Sequence, residues 1–257
     1  IIMNSTANGG NDSSKIWKLN GTNQVLTFAA NRTFTLTTDL VFQAQALSDR
    51  INFNGTLGGN KELKLGAKVT AIFGSAYNGS LHTGALNVSG GTSPNNATIV
   101  SNVSDNGVFL NDGRTLTISN QGASITVNGA NTLRGNINTG NNTANLVINK
   151  NQSSVKMITM GAGGGINLSA DSAVTSIAFA DNSAQTWGTS ALTITGLADN
   201  EVSFGTNASG LTADQLAQIT YNDCTEVSIN ENGQISVTGG CPLPPGEGNK
   251  APGAGID

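Results

Sequence analysis

The stretch Thr115-Leu116-Thr117-Ile118-Ser119-Asn120-Gln121-Gly122-Ala123-Ser124-Ile125-Thr126-Val127-Asn128-Gly129 decides the fold. It holds two short runs that alternate aliphatic with Thr or Ser, the period of a half-buried strand. Each run ends on Asn, and a Gly follows within one or two residues, the punctuation of a tight corner. The pattern recurs in both directions. Gln24–Phe28, Thr33–Thr37, Arg50–Asn54, Glu62–Leu65 and Ala85–Ser89 precede it, and Asn145–Asn149, Gly165–Ser169, Ala191–Thr195 and Glu201–Phe204 follow.

Short strands with regular corners suit a sandwich of hairpins or a solenoid. Similar strand–Gly units continue over most of the chain without a domain break, and the apolar positions are mostly Ile, Val, Leu, Phe and Ala. Both features favour a parallel β-solenoid. Asn at the ends of strands (Asn120, Asn128, Asn149) is placed to form side-chain ladders from turn to turn. A rung of ~20–25 residues gives about ten rungs and, at ~4.8 Å per strand, a rod about 50 Å long.

Composition narrows the function. Asn, Gly, Thr and Ser make up 119 of the 257 residues, and only 11% of residues are charged. The 12 Lys and Arg are scattered among 16 acids and form no basic stripe, so nucleic-acid binding is not expected. No apolar run approaches the ~18 residues of a membrane span. Cys224 and Cys241 read as one disulfide of an exported protein, closing a loop of about 17 residues.

Four segments follow. Residues 1–23 form an N-terminal cap or docking strand, 24–210 the solenoid body, 211–241 a C-terminal cap and 242–257 a Pro/Gly-rich tail. The cap carries the one helical signal, Leu211 to Gln218, in which Thr212 and Gln215 have capping-box spacing. A hairpin follows: Glu226–Ile229, a turn through Asn232-Gly233, then Gln234–Val237.

Leu192–Gly196, Val202-Ser203-Phe204-Gly205-Thr206, Gly210–Ile219 and Ser228–Ile235 together resemble the closing pattern "sFGtsasGLTaaQLaqI…idanG" of bacterial autotransporter-associated β-strand repeat proteins. The resemblance covers roughly 45 residues. It implies a secreted or cell-surface right-handed parallel β-helix, usually without enzymatic activity. The chain differs from that family in its cysteine pair and its Pro/Gly tail.

Residues that could carry chemistry are few. His82 is the sole histidine, and its context, Gly79–Gly84, has no nucleophile elbow; a position on a rung or at the surface is expected. Asp199 and Glu201 are the nearest pair of carboxylates, and most other acids lie in turns. Glycosidic chemistry would need two acids ~5–9 Å apart. The run Gly161–Gly165 lacks the Lys-Ser/Thr of a phosphate loop and reads as a solenoid corner. Trp17, Trp187, Tyr77 and Tyr221 are expected to fill the core or cap it rather than to stack on sugars. Thirteen Asn-x-Ser/Thr sequons, at Asn4, Asn11, Asn20, Asn31, Asn54, Asn78, Asn87, Asn96, Asn102, Asn141, Asn151, Asn167 and Asn207, could be glycosylated in a host that does so.

No catalytic, cofactor or metal site is therefore expected. The expected role is that of an extracellular structural protein whose partners are copies of itself. The alternative is a monomeric adhesin that binds glycans, and a polysaccharide lyase or hydrolase ranks third.

Overall fold

The structure is a computed structural model that describes residues 15–89 and 95–241. The tail after Cys241 and most of the N-terminal segment lie outside the described residues. The chain winds as a β-solenoid of about nine turns. One wall is a nine-stranded parallel sheet running from Val25–Phe28 to Ile219–Tyr221, and a second is a seven-stranded parallel sheet running from Lys15–Leu19 to Ile158–Met160. The third wall is broken. Thr33–Leu36, Thr56–Gly59 and Asn78–His82 form one three-stranded sheet, and Gln152–Val155, Ile177–Phe179 and Val202–Phe204 form another.

Every strand pattern read from the sequence lies on one of these walls. The repeat is irregular: hydrogen-bonded Asn side chains in consecutive turns are 26, 21 and 22 residues apart. Corners absorb the differences in length, so parallel register survives. Nine strands at ~4.8 Å give a coil about 40 Å long, one rung shorter than the sequence suggests. The coil also begins earlier. Lys15–Leu19 pairs with Leu40–Ala44, so residues assigned to an N-terminal segment already lie in the first turn.

Alternation sorts side chains as the period-2 pattern requires. Leu26, Ile51, Ala71, Ile99, Ile125, Leu146, Leu168, Ile194 and Tyr221 form one inward column of the nine-stranded sheet. The neighbouring column starts with an aromatic stack that composition does not announce. Phe28 and Phe53 lie 5.0 Å apart and 4° from parallel, and Phe53 and Phe73 lie 5.0 Å apart at 13°. Parallel in-register strands place like side chains one strand spacing apart, which is the distance at which rings stack.

The C-terminal end follows the sequence closely. The helix Ala213–Leu216 has a complete capping box: Gln215 N donates to Thr212 Oγ1, and Thr212 N donates to Gln215 Oε1 at 2.8 Å. This helix is part of the last turn, because the chain returns to the nine-stranded sheet as Ile219–Tyr221. The antiparallel hairpin Glu226–Ile229/Ile235–Gly239 then lies against Val202–Phe204, with Phe204 N donating to Gly233 O and Asn200 N to Ile235 O. A disulfide joins Cys224 to Cys241.

Candidate functional site

Within the described residues the groups singled out for chemistry have structural roles; the sequons at Asn4 and Asn11 lie outside them. His82 ends the strand Asn78–His82 and is fully buried. Its Nε2 lies 2.8 Å from Lys61 O, so Nε2 carries the proton in the neutral ring. Burial, and then the positive charge of Arg114, hold its pKa down to about 4. Asp199 Oδ1 accepts from Val237 N, and Glu201 Oε2 accepts from Ala198 N, so both carboxylates bind backbone at the C-terminal end. Tyr221 is buried between them and the core, and its hydroxyl donates to Ala198 O at 2.6 Å. Burial, helped by those two carboxylates, raises its pKa.

Gly161–Gly165 is a corner, as expected: Gly161 N donates to Gly140 O, and Gly163 has φ +75°. Trp187, Tyr77 and Tyr221 are core residues. Several sequon asparagines are committed to ladders. Asn102 Oδ1 accepts from Asn128 Nδ2, Asn96 Oδ1 from Asn120 Nδ2, and Asn167 Nδ2 donates to Asn145 Oδ1. Asn87 is buried and bonded to Glu62. A glycan on Asn87, Asn96 or Asn167 would load a nitrogen that already donates to another turn, Asn96 Nδ2 to Gly122 O.

Surfaces remain. The outward face of the nine-stranded sheet carries a column of Thr70, Thr98, Ser124, Asn145, Asn167, Thr193 and Thr220. Beside it runs Ile72, Val100, Thr126, Val147, Ser169 and Thr195. Seven consecutive turns of this face therefore present short, uncharged side chains. On the seven-stranded sheet, near the first turn, a groove of about 430 Å³ is lined by Ile16, Lys18, Val41, Gln43, Lys64 and Ser89 among others.

The two ends of the coil differ. The last turn, which includes the helix, is covered by the hairpin. At the first turn, Lys15–Leu19, Val25–Phe28 and Thr33–Leu36 are the outermost strands of their sheets, each paired on one side only among the described residues. Beneath these edges lies a partly exposed aromatic cluster. Trp17 sits 5.9 Å from Phe34 and 6.4 Å from Phe28, and Phe28 sits 4.5 Å from Phe34. Val25 is 48% exposed. The sequence shows the strand patterns at Gln24–Phe28 and Thr33–Thr37, but it leaves Lys15–Leu19 in the N-terminal segment; that the three form one rung follows only from the register.

No helix among the described residues is long and apolar enough to cross a membrane. Family models, curated proteins and solved structures yield no match to this chain.

Proposed function

We propose that this chain is an extracellular structural protein that associates with copies of itself into a cell-surface filament or layer. The observation that carries this reading is the first rung, where three strand edges unpaired among the described residues stand over an aromatic cluster. Such an edge is a template for another chain. The resemblance to autotransporter-associated β-strand repeat proteins supports a cell-surface setting, and a disulfide persists in oxidising compartments. The uncharged Thr/Ser/Asn/Val face adds a lateral surface with little repulsion between copies.

Negative-stain microscopy and sedimentation of the full chain test this. The expected result is concentration-dependent assembly, weakened by Val25→Lys at the exposed edge while the unfolding free energy changes by no more than the ~0.5 kcal/mol of an ordinary surface substitution. Monodisperse monomers at all concentrations, salts and calcium levels would sink the proposal.

One observation favours a second reading, that of an adhesin. The groove beside Lys18 and Lys64 has the volume of a small-ligand site and a positive rim. Acidic glycans on an array are the matching probe, and the absence of saturable binding would retire it.

A further inference from the structure

The third wall of the solenoid is interrupted between the strand ending at His82 and the strand starting at Gln152. Within that gap the ladder thins to the isolated Leu110–Leu133 bridge and a few backbone bonds, and buried polar side chains supplement it. Gln152 shows how completely this can be done. Its Oε1 accepts from Thr132 N and Leu133 N at 3.1 Å each, and its Nε2 donates to Gly129 O and Lys150 O. All four hydrogen-bonding positions of the amide are used.

The cluster one turn earlier is different. Arg114 has no exposed surface, and neither does His82. Arg114 Nε donates to Gly84 O at 2.9 Å, and Nη1 reaches Tyr77 Oη at only 3.5 Å. Among the described residues, Arg114 Nη2 has no partner, and His82 Nδ1 has none either. Tyr77 is 3% exposed; its oxygen accepts from Arg114, and its own hydrogen has no acceptor among the described residues. The cluster is short of acceptors and of negative charge. The nearby carboxylate of Asp112 is at the surface, where it pairs with Lys156 at 3.4 Å.

A guanidinium stays charged under all ordinary conditions. Burying it without a counter-charge costs several kcal/mol, far more than leaving a neutral amide unsatisfied. A water molecule would satisfy N–H groups but would not compensate the charge. A small anion does both.

We propose that the Arg114–Tyr77–His82 cluster is an internal binding site for a small inorganic monoanion of the size of chloride. Arg114 Nη2 and the Tyr77 hydroxyl donate to it, and the ion neutralises the guanidinium. His82 stands beside it with Nε2–H held by Lys61 O. A proton taken up at Nδ1 would add a third donor, so anion binding and His82 protonation are linked and each favours the other.

Thermal unfolding of the full chain at neutral pH, in sodium chloride or bromide against sodium gluconate at equal ionic strength, tests this. The expected result is a rise in midpoint of about 2–4 °C that grows with the logarithm of halide concentration, the size that halide at about four times its dissociation constant gives a chain of this length. The Arg114→Met variant keeps the volume and removes the charge, and it should lose the halide dependence. Ring NMR of His82 gives a reading on the unmodified chain, where chloride should raise the apparent pKa. A bromide-soaked crystal should show its anomalous peak at Arg114. A midpoint and a His82 titration that ignore halide would overturn the site and leave a bound water in its place. Halide dependence that persists in Arg114→Met would also overturn it, because the ion would then bind elsewhere.

Discussion

His82 shows how one residue's surroundings become a property of the whole chain. Unfolded, its imidazole takes up a proton near pH 6.5. Folded, it does so only near pH 4, because burial and Arg114 both oppose a second positive charge. Between those values the unfolded chain binds more protons, so stability falls as pH falls. The contribution is complete above pH 6.5 and is lost as pH approaches 4, for a total of about 3 kcal/mol. In halide-free buffer, urea midpoints measured from pH 7 to pH 4.5 should drop along this curve, and His82→Gln should flatten it. A wild-type profile that is flat over that window would contradict the buried, neutral ring. Gln152 meets the same gap in the wall with an uncharged side chain, and its amide does not titrate.

Among elements, the joints between turns matter most. The strands Thr98–Ser101, Ala123–Val127 and Thr143–Ile148 are each followed by an Asn. Asn128 Nδ2 donates to Asn102 Oδ1 at 2.7 Å, and Asn149 Nδ2 donates to Asn128 Oδ1 at 2.6 Å. Asn128 both donates and accepts, so this middle residue holds two turns. Asn128→Ala removes both bonds and should cost about 1–3 kcal/mol. Asn149→Ala removes one and should cost about half as much. Urea denaturation of the two variants checks the ratio; equal effects would show that the ladder does not act as a chain of bonds. The corner next to this ladder is equally constrained. A Cβ on Gly129 would lie 1.9 Å from Val103 O, so the preceding turn passes where a side chain would sit. The aromatic stack at Phe28, Phe53 and Phe73 ends where the same column continues as Ser101, Val127 and Ile148. Phe109 then packs edge-on to Phe73 at 5.1 Å.

For the whole molecule, a solenoid is held together by contacts between neighbouring turns, so its ends respond independently of its middle. The Cys224–Cys241 disulfide closes the hairpin onto the last turn. A loop of that length is worth about 3 kcal/mol. Replacing both cysteines with Ser should therefore lower hydrogen-exchange protection in Glu226–Ile229 and Ile235–Gly239 by about a hundredfold. Thr143–Ile148, several turns away, should keep its protection. If both regions lost protection together, the coil would be one cooperative unit and the end would not act as a separate cover. The same independence suits association through the first turn, since an edge can recruit a partner without disturbing the rest of the coil.

Much of this was written in the chain itself. Alternating Thr/Ser and aliphatic residues dictate strands, Gly and Asn dictate corners, and the Thr212–Gln215 capping box and the Asn232-Gly233 turn are local hydrogen-bond chemistry that needs no distant partner. That Asn120, Asn128 and Asn149 would bond between turns was legible because each closes a strand pattern; that Asn120 meets Asn96 while Asn128 and Asn149 share a separate ladder was not. Tertiary structure alone decided what register brings together. Arg114 and Tyr77 are 37 residues apart, and Gln152 meets the backbone of Thr132 across a turn. Corner lengths vary, so no fixed repeat predicts which residues share a rung, which Phe stacks on which, or where the third wall breaks. The buried cation follows from that break: it is a consequence of winding, not of any local pattern around residue 114.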